Sequence, residues 1–198
     1  MSRTPNSRKE ETHDRIVDVA ARALRRQGYA GVGVAEVMKE AGLTHGGFYA
    51  HFESRDALLV EALERAGRQS AENVTRATRE RAANGVSAFR ALVEAYLGDE
   101  HLASPETGCP VAALACDMPR QSAAVRDAST LRVQRLIGAV RAALPAGSRS
   151  SATVVAGTLV GTLQLARALG VNAQGRAALS SARKSLLSQY DVPATATH

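Results

Sequence analysis

Thr44, His45, Tyr49 and His51, grouped around the pair Gly46-Gly47, are the residues here whose types and spacing best suit a chemical task. A hydroxyl, a phenol and two imidazoles lie within eight residues, and Thr44 as a helix cap would leave the amide dipole aimed at a phosphate. Two adjacent glycines let another surface come close to the backbone. Lys39 and Arg55 bracket the run with cations. Other chemistries lack their parts. No Ser-His-Asp spacing, glycine-rich phosphate loop or metal-ligand cluster is visible. His45 and His51 are six apart, which does not put them on one helical face, so no zinc pair is expected. Asp99-Glu100 reads as a solvated helix end. No catalysis, metal or cofactor is expected.

The two cysteines, Cys109 and Cys116, are seven apart, about 10.5 Å along a regular helix and too far for a disulfide. Cys109 precedes Pro110 at an expected helix start. Two readings stay open there: an oxidant- or electrophile-sensing thiol, or a small buried apolar residue.

These residues need helices to position them. Apolar residues recur at three and four along almost the whole chain, and strand signals are nearly absent. The first helix is expected from the capping-box pattern Ser7-Arg8-Lys9-Glu10, through Ile16, Ala20, Ala23 and Leu24 on one face, to Gly28. A short helix over 34–40 follows, then Ala41-Gly42-Leu43-Thr44 and a second short helix to His51, with Thr44 as its cap. Val34, Val37, Leu43 and Phe48 are spaced to hold the pair together. Two short helices around a glycine turn form a helix-turn-helix, whose second helix enters the major groove. The pair Gly46-Gly47 weakens that helix by about 0.8–1.0 kcal/mol per glycine relative to alanine; close approach to DNA would explain it, and a loop is the competing reading.

The fourth helix is expected over 54–83 with Ser54 as cap, the fifth over 86–102, and the sixth over 110–117 with Pro110 first. The seventh follows over 120–144, the eighth over 150–169, and the ninth over 172–190 with Asn172 as cap. Residues 192–198 read as a disordered tail. The fold class is therefore all-α with about nine helices. An N-terminal three-helix domain over 1–54 precedes a larger helical effector-binding and dimerisation domain over 55–191.

The run Gly28-Tyr29 … Val34-Ala35-Glu36-Val37 … Ala41-Gly42-Leu43-Thr44 … Gly46-Gly47-Phe48-Tyr49-Ala50-His51-Phe52 … Arg55 … Leu58 resembles the N-terminal signature of tetracycline-repressor-type regulators. The segment Gly108-Cys109-Pro110-Val111-Ala112-Ala113-Leu114 resembles one subgroup of them, the LmrA/YxaF-like repressors. The resemblance implies a homodimer on double-stranded operator DNA, usually a repressor released by a small-molecule effector. By position, it implies that Thr44, Tyr49 and Arg55 contact phosphates. His45, Gly46 and Gly47 would face base edges, and His51 would lie beside the backbone. Phe52 is expected in the core. Gly33 departs from the pattern, since a Ser or Thr commonly caps the second helix there; Met38 replaces a common Ala. The recognition segment has no Arg or Lys to pair with guanine. Sequence choice would then rest on His45, Lys39, the arm Arg3, Arg8 and Lys9, and DNA shape.

The resemblance also implies an effector site among the middle helices. Leu63, Phe89, Leu92, Tyr96, Cys109, Leu114, Met118, Val133 and Leu136 are its candidate lining, with plain core filling as the alternative for each. The eighth and ninth helices are the expected dimer surface. The eighth carries Gly157-Thr158-Leu159-Val160-Gly161, whose small-residue spacing suits either intrachain packing or dimerisation.

Whole-chain numbers agree with this reading. Lys+Arg 25 against Asp+Glu 19 gives a net charge of +6, which suits a polyanionic partner. Hydrophobic residues at 45% and charged residues at 22% fit a soluble globular protein. Met1 to Glu11 carries charge without an apolar run, so no signal peptide is expected. The apolar stretch 152–169 holds Thr153, Thr158, Thr162, Gln164 and Arg167, which favours a buried helix over a membrane span. The expected location is the cytoplasm.

Overall fold

A computed structural model describes residues 5–191. Arg3 of the basic arm and the tail 192–198 lie outside the described residues, so expectations for them find no test. Among the described residues there are nine α-helices, several short 3-10 turns and no strand. The α-helices are α1 (Pro5–Gln27), α2 (Val34–Glu40), α3 (Arg55–Ala82), α4 (Ala88–Tyr96), α5 (Asp99–Ala103), α6 (Pro110–Leu114), α7 (Ala123–Ala143), α8 (Ala152–Leu169) and α9 (Ala173–Tyr190). The chain divides into two compact units. The first runs to Gln69 and adds Glu106–Arg132; the second holds Ser70–Pro105 and the chain from Val133.

The total of nine matches expectation through two differences that cancel. The expected third helix, after Gly42, is a 3-10 helix over His45–Ala50. The expected fifth helix is two, broken at Leu97-Gly98 into α4 and α5. Smaller corrections follow. Ser7 lies inside α1, so the capping box it was assigned does not start that helix. The sixth helix stops at Leu114, and α7 starts at Ala123 after a 3-10 turn at Met118–Arg120. Other signals hold: Ser54 Oγ accepts from Ala57 N at 3.1 Å, Pro110 opens α6, and Asn172 Oδ1 accepts from Gln174 N at 2.9 Å and Gly175 N at 3.2 Å.

In the first unit, Ile16, Ala20 and Leu24 of α1 and Leu58, Leu59, Ala62 and Leu63 of α3 are all fully buried. Polar ties flank this apolar packing. Arg65 of α3 donates to Asp14 at 2.5 Å and Asp18 at 2.7 Å, and His13 meets Glu61 at 2.7 Å.

In the second unit, α8 packs along α9. Their connection is tight, because a Cβ at Gly175 would strike the Gly170 and Ala166 carbonyls. Arg90 pairs with Asp191 at 2.8 Å, and Phe89 meets Tyr190 edge-on at 5.9 Å. The break after α4 has visible causes. His101 Nδ1 donates to the Tyr96 carbonyl at 2.7 Å, and Arg183 of α9 donates to the Leu97 carbonyl at 2.5 Å. Side chains thus satisfy carbonyls that a continuing helix would have bonded.

Burial pulls His101 down from the usual histidine value to about 4, with Arg167 adding to the fall and the Tyr96 hydrogen bond opposing it. Between about pH 6.5 and 4 the unfolded chain therefore takes up a proton that the folded chain refuses, and stability falls with pH. Thermal melts across that window should show Tm dropping for the wild type and dropping less for His101→Gln. Equal slopes would remove His101 as the cause.

Candidate nucleic-acid interface

Helix α2 ends in a glycine-dependent reversal. Gly42 sits at φ +73, in the left-handed region. Leu43 N bonds back to the Met38 carbonyl at 2.8 Å, and Gly42 N to the Lys39 carbonyl at 3.0 Å. These paired bonds satisfy the last carbonyls of α2 and turn the chain by its backbone alone. Its other end, Gly33, has no side-chain cap, as the glycine dictates.

The segment that follows winds as a 3-10 helix. Gly46-Gly47 has little intrinsic helix stability, and a single tight turn needs fewer fixed residues. Its position is set from inside. Phe48 and Phe52 are 2% and 3% exposed and stack at 5.4 Å; His13 of α1 stacks on Phe52 at 4.6 Å. Phe52 is thus core, as expected. The opposite edge is open: Thr44, His45, Gly46, Tyr49 and Ala50 are exposed, and Tyr49 reaches 73%.

Thr44 stands at the N-cap position with φ −81 and ψ 149, yet its hydroxyl makes no cap hydrogen bond. The expected side-chain cap is absent, and Thr44 is exposed, as is Tyr49. A Cβ at Gly46 would meet nothing within 4 Å, and one at Gly47 only Met38 Cε at 3.6 Å. The fold of this chain does not require either glycine. Lys39 is exposed in the last turn of α2. Arg8 and Lys9 are exposed on α1.

Two residues sit differently from a simple surface contact. His51 is half-buried, its Nδ1 is buried without a hydrogen-bond partner, and its ring lies 5.9 Å from His13. Burial, then the proximity of His13 and Lys9, hold it below the usual histidine range. Arg55 turns inward: Nε donates to the Val32 carbonyl at 3.0 Å and Nη2 to the Tyr29 carbonyl. It clamps the loop between α1 and α2 onto the start of α3. His13 and Glu61 were missed from the sequence, although His13 stands three and four before the buried Ile16 and Val17 and so shares their face.

The candidate effector residues divide between the two units. Leu63, Cys109, Leu114 and Met118 belong to the first and are buried; Phe89, Leu92 and Tyr96 belong to the second and are buried, with Val133 and Leu136 half-buried there. Cys109 is 5% exposed and Cys116 is exposed, and both are free thiols. Residues 146–169 form a helical stretch apolar and long enough to cross a membrane by length and composition alone, and 33% of its most apolar 18-residue window is buried.

Comparison with known proteins places this geometry. Residues 16–62 match the family model described as bacterial regulatory proteins, tetR family. Over 54 residues the chain is 37% identical to the uncharacterized HTH-type transcriptional regulator YerO of Bacillus subtilis, covering 27% of this chain and 19% of that protein. Over 64 residues it is 36% identical to the HTH-type transcriptional regulator AcrR of Shigella flexneri, covering 32% and 30%. The matched part thus spans less than a third of either relative. Solved structures extend the likeness of fold to most of the chain. A TetR transcriptional regulator from Chloroflexus aurantiacus superposes with TM-score 0.72 at 23% identity, covering 91% of this chain and 95% of that one. The reduced form of Escherichia coli NemR gives 0.74 at 18%, covering 93% and 100%.

Proposed function

We propose, from the premise that residues 16–62 form a DNA-binding domain of the tetR type, that the whole chain is a dimeric transcriptional regulator. It binds a palindromic operator and is released by a small-molecule effector. The observation that carries the DNA-binding part is the edge Thr44–Tyr49. A tyrosine 73% exposed on an element pinned by two buried phenylalanines, which an exposed Thr44 with no cap bond precedes, suits contact with phosphates. The bare glycines between them, needed by nothing in the chain, suit close approach to a groove. In this reading Thr44 and Tyr49 donate to phosphates, His45 reads base edges beside Gly46 and Gly47, and Lys39 and His51 flank the groove. Arg55 acts first by holding the α1–α2 loop. The DNA-binding domain is taken as 1–54 and the effector and dimerisation domain as 55–191. The LmrA/YxaF-like assignment rests on residues 108–114 alone. The protein works in the cytoplasm and is not an enzyme.

The dimer surface is assigned to α8 and α9. Val154 and Leu165 are 67% and 66% exposed on α8, and Leu169 is 47% exposed. Gly157 and Gly161 lie on the same side, and a Cβ at either would meet nothing within 4 Å. Small residues that no intrachain neighbour needs, set among large exposed apolar ones, fit the close two-fold contact of a second copy.

Footprinting on the gene's own upstream region tests the reading as a whole. Within it, Tyr49→Ala should weaken binding about 10–100-fold by similar factors across operator variants, because phosphate contacts carry no sequence information. His45→Ala should change the ranking of variants. The reverse pattern, measured by titrating labelled duplexes, would overturn these roles.

A further inference from the structure

We propose that Arg132 is the anion-binding element of a ligand site in the first unit, built to hold the carboxylate of a small organic acid. This names the chemical class of the effector and rests on the regulator reading above.

Arg132 is 6% exposed in α7, on the same stripe as the buried Val125 and Ser129. Its Nε and Nη2 are buried without a hydrogen-bond partner. No hydrogen bond or ion pair to its guanidinium occurs among the described residues. A guanidinium left in this condition is costly, since two of its nitrogens have lost water and gained no partner. The fold makes specific room for it. A Cβ at Gly67 of α3 would lie against Nη1 and 2.6 Å from Cδ, so the side chain crosses α3 where that helix has no side chain.

Other arginines show how this fold treats a guanidinium that serves only structure. Arg25, 4% exposed, donates Nη1 to the Ala66 carbonyl at 3.1 Å and Nη2 to Gln69 Oε1 at 2.8 Å, leaving only Nε without a partner. Arg55 donates to two carbonyls. Arg65 holds Asp14 and Asp18. Arg132 has no such provision. The neighbouring hydroxyls are already used, because Ser129 Oγ donates to the Val125 carbonyl at 2.7 Å and meets Tyr29 Oη at 3.1 Å.

The two unpartnered nitrogens decide the ligand chemistry. Nε–H and one Nη–H form the parallel fork that matches the two oxygens of a carboxylate. Leu63, Leu114 and Met118 show that the interior of this unit is apolar, and a singly charged carboxylate costs less to bring into such an interior than a phosphate of higher charge.

The test uses the full chain without DNA. Thermal shift and calorimetry are run with acetate, benzoate, neutral benzamide and phosphate, each against sodium chloride at equal ionic strength. Wild type should show a saturable rise in Tm with the carboxylates and none with benzamide. Arg132→Met should keep or raise the Tm of the ligand-free protein and weaken benzoate at least tenfold; Arg132→Lys, which keeps the charge and loses the fork, should fall between. Carboxylate binding equal in wild type and Arg132→Met overturns the proposal, as does no carboxylate response in wild type or a response to phosphate alone. Operator binding is measured separately on the same proteins. Benzoate bound at Arg132 with operator affinity unchanged would refute effector release through this site and leave the anion site standing, whereas a wild type that binds operator but shows no carboxylate response would refute the anion site and leave the regulator reading standing.

Discussion

Leu165→Glu is expected to turn the protein into a monomer and to lower its affinity for a palindromic operator at least 100-fold, with the helical fold intact. Leu165 is 66% exposed within the chain, so a glutamate there costs the monomer little; surface changes of this kind usually stay within about ±0.5 kcal/mol. In a two-fold interface the change appears twice, removing two apolar side chains and burying two like charges close together. Two linked recognition elements gain roughly 10²–10⁴ over one through effective concentration, and a monomer forfeits that gain. Gly161→Leu should act in the same direction for a different reason. It adds bulk where a Cβ meets nothing in its own chain, so only a second copy can object. Sedimentation and operator titration read both effects. Dimers of normal affinity in both variants would remove α8 from the interface.

Phe48→Ala should be the most damaging change in the first unit, although Phe48 touches no DNA in the proposed pose. Its ring is 2% exposed, stacks on Phe52 at 5.4 Å and meets Tyr49 edge-on at 5.2 Å. Truncating a buried phenylalanine costs about 3–5 kcal/mol, a large share of the roughly 5–15 kcal/mol that keeps a domain folded. The 3-10 helix has only six residues and a glycine pair, so it has little stability of its own to fall back on. Tm and operator binding should both collapse. Tyr49→Ala is the matched contrast: the 73% exposed ring can be lost with Tm nearly unchanged while binding weakens. Were Tyr49→Ala to destabilise the fold and Phe48→Ala to leave it intact, the inward and outward faces of this element would have been exchanged.

Much of this molecule was legible residue by residue. Gly28 and Gly42 were placed at helix ends from the sequence, and both adopt positive φ. Ser54, Pro110 and Asn172 start helices where local chemistry says they must. The segment matched by the tetR family model was recognisable because the run from Gly28 to Leu58 resembles that family's signature residue by residue. The break after Tyr96 was not legible. Apolar residues continue through Leu97 and Leu102, so the periodicity predicts one helix, whereas His101 and Arg183 capture the Tyr96 and Leu97 carbonyls. Neither capture can be seen without knowing that α9 lies alongside.

The sequence by itself determined the all-helical class and most helix ends, because each of these follows from interactions within about four residues along the chain. Tertiary structure alone decided three other matters. It showed that His45–Ala50 is a 3-10 helix held by Phe48 and Phe52, that Gly157 and Gly161 face no neighbour of their own chain, and that Arg132 is buried with two nitrogens unpaired. Those depend on which distant residues come together, and on which fail to, and no local spacing encodes that.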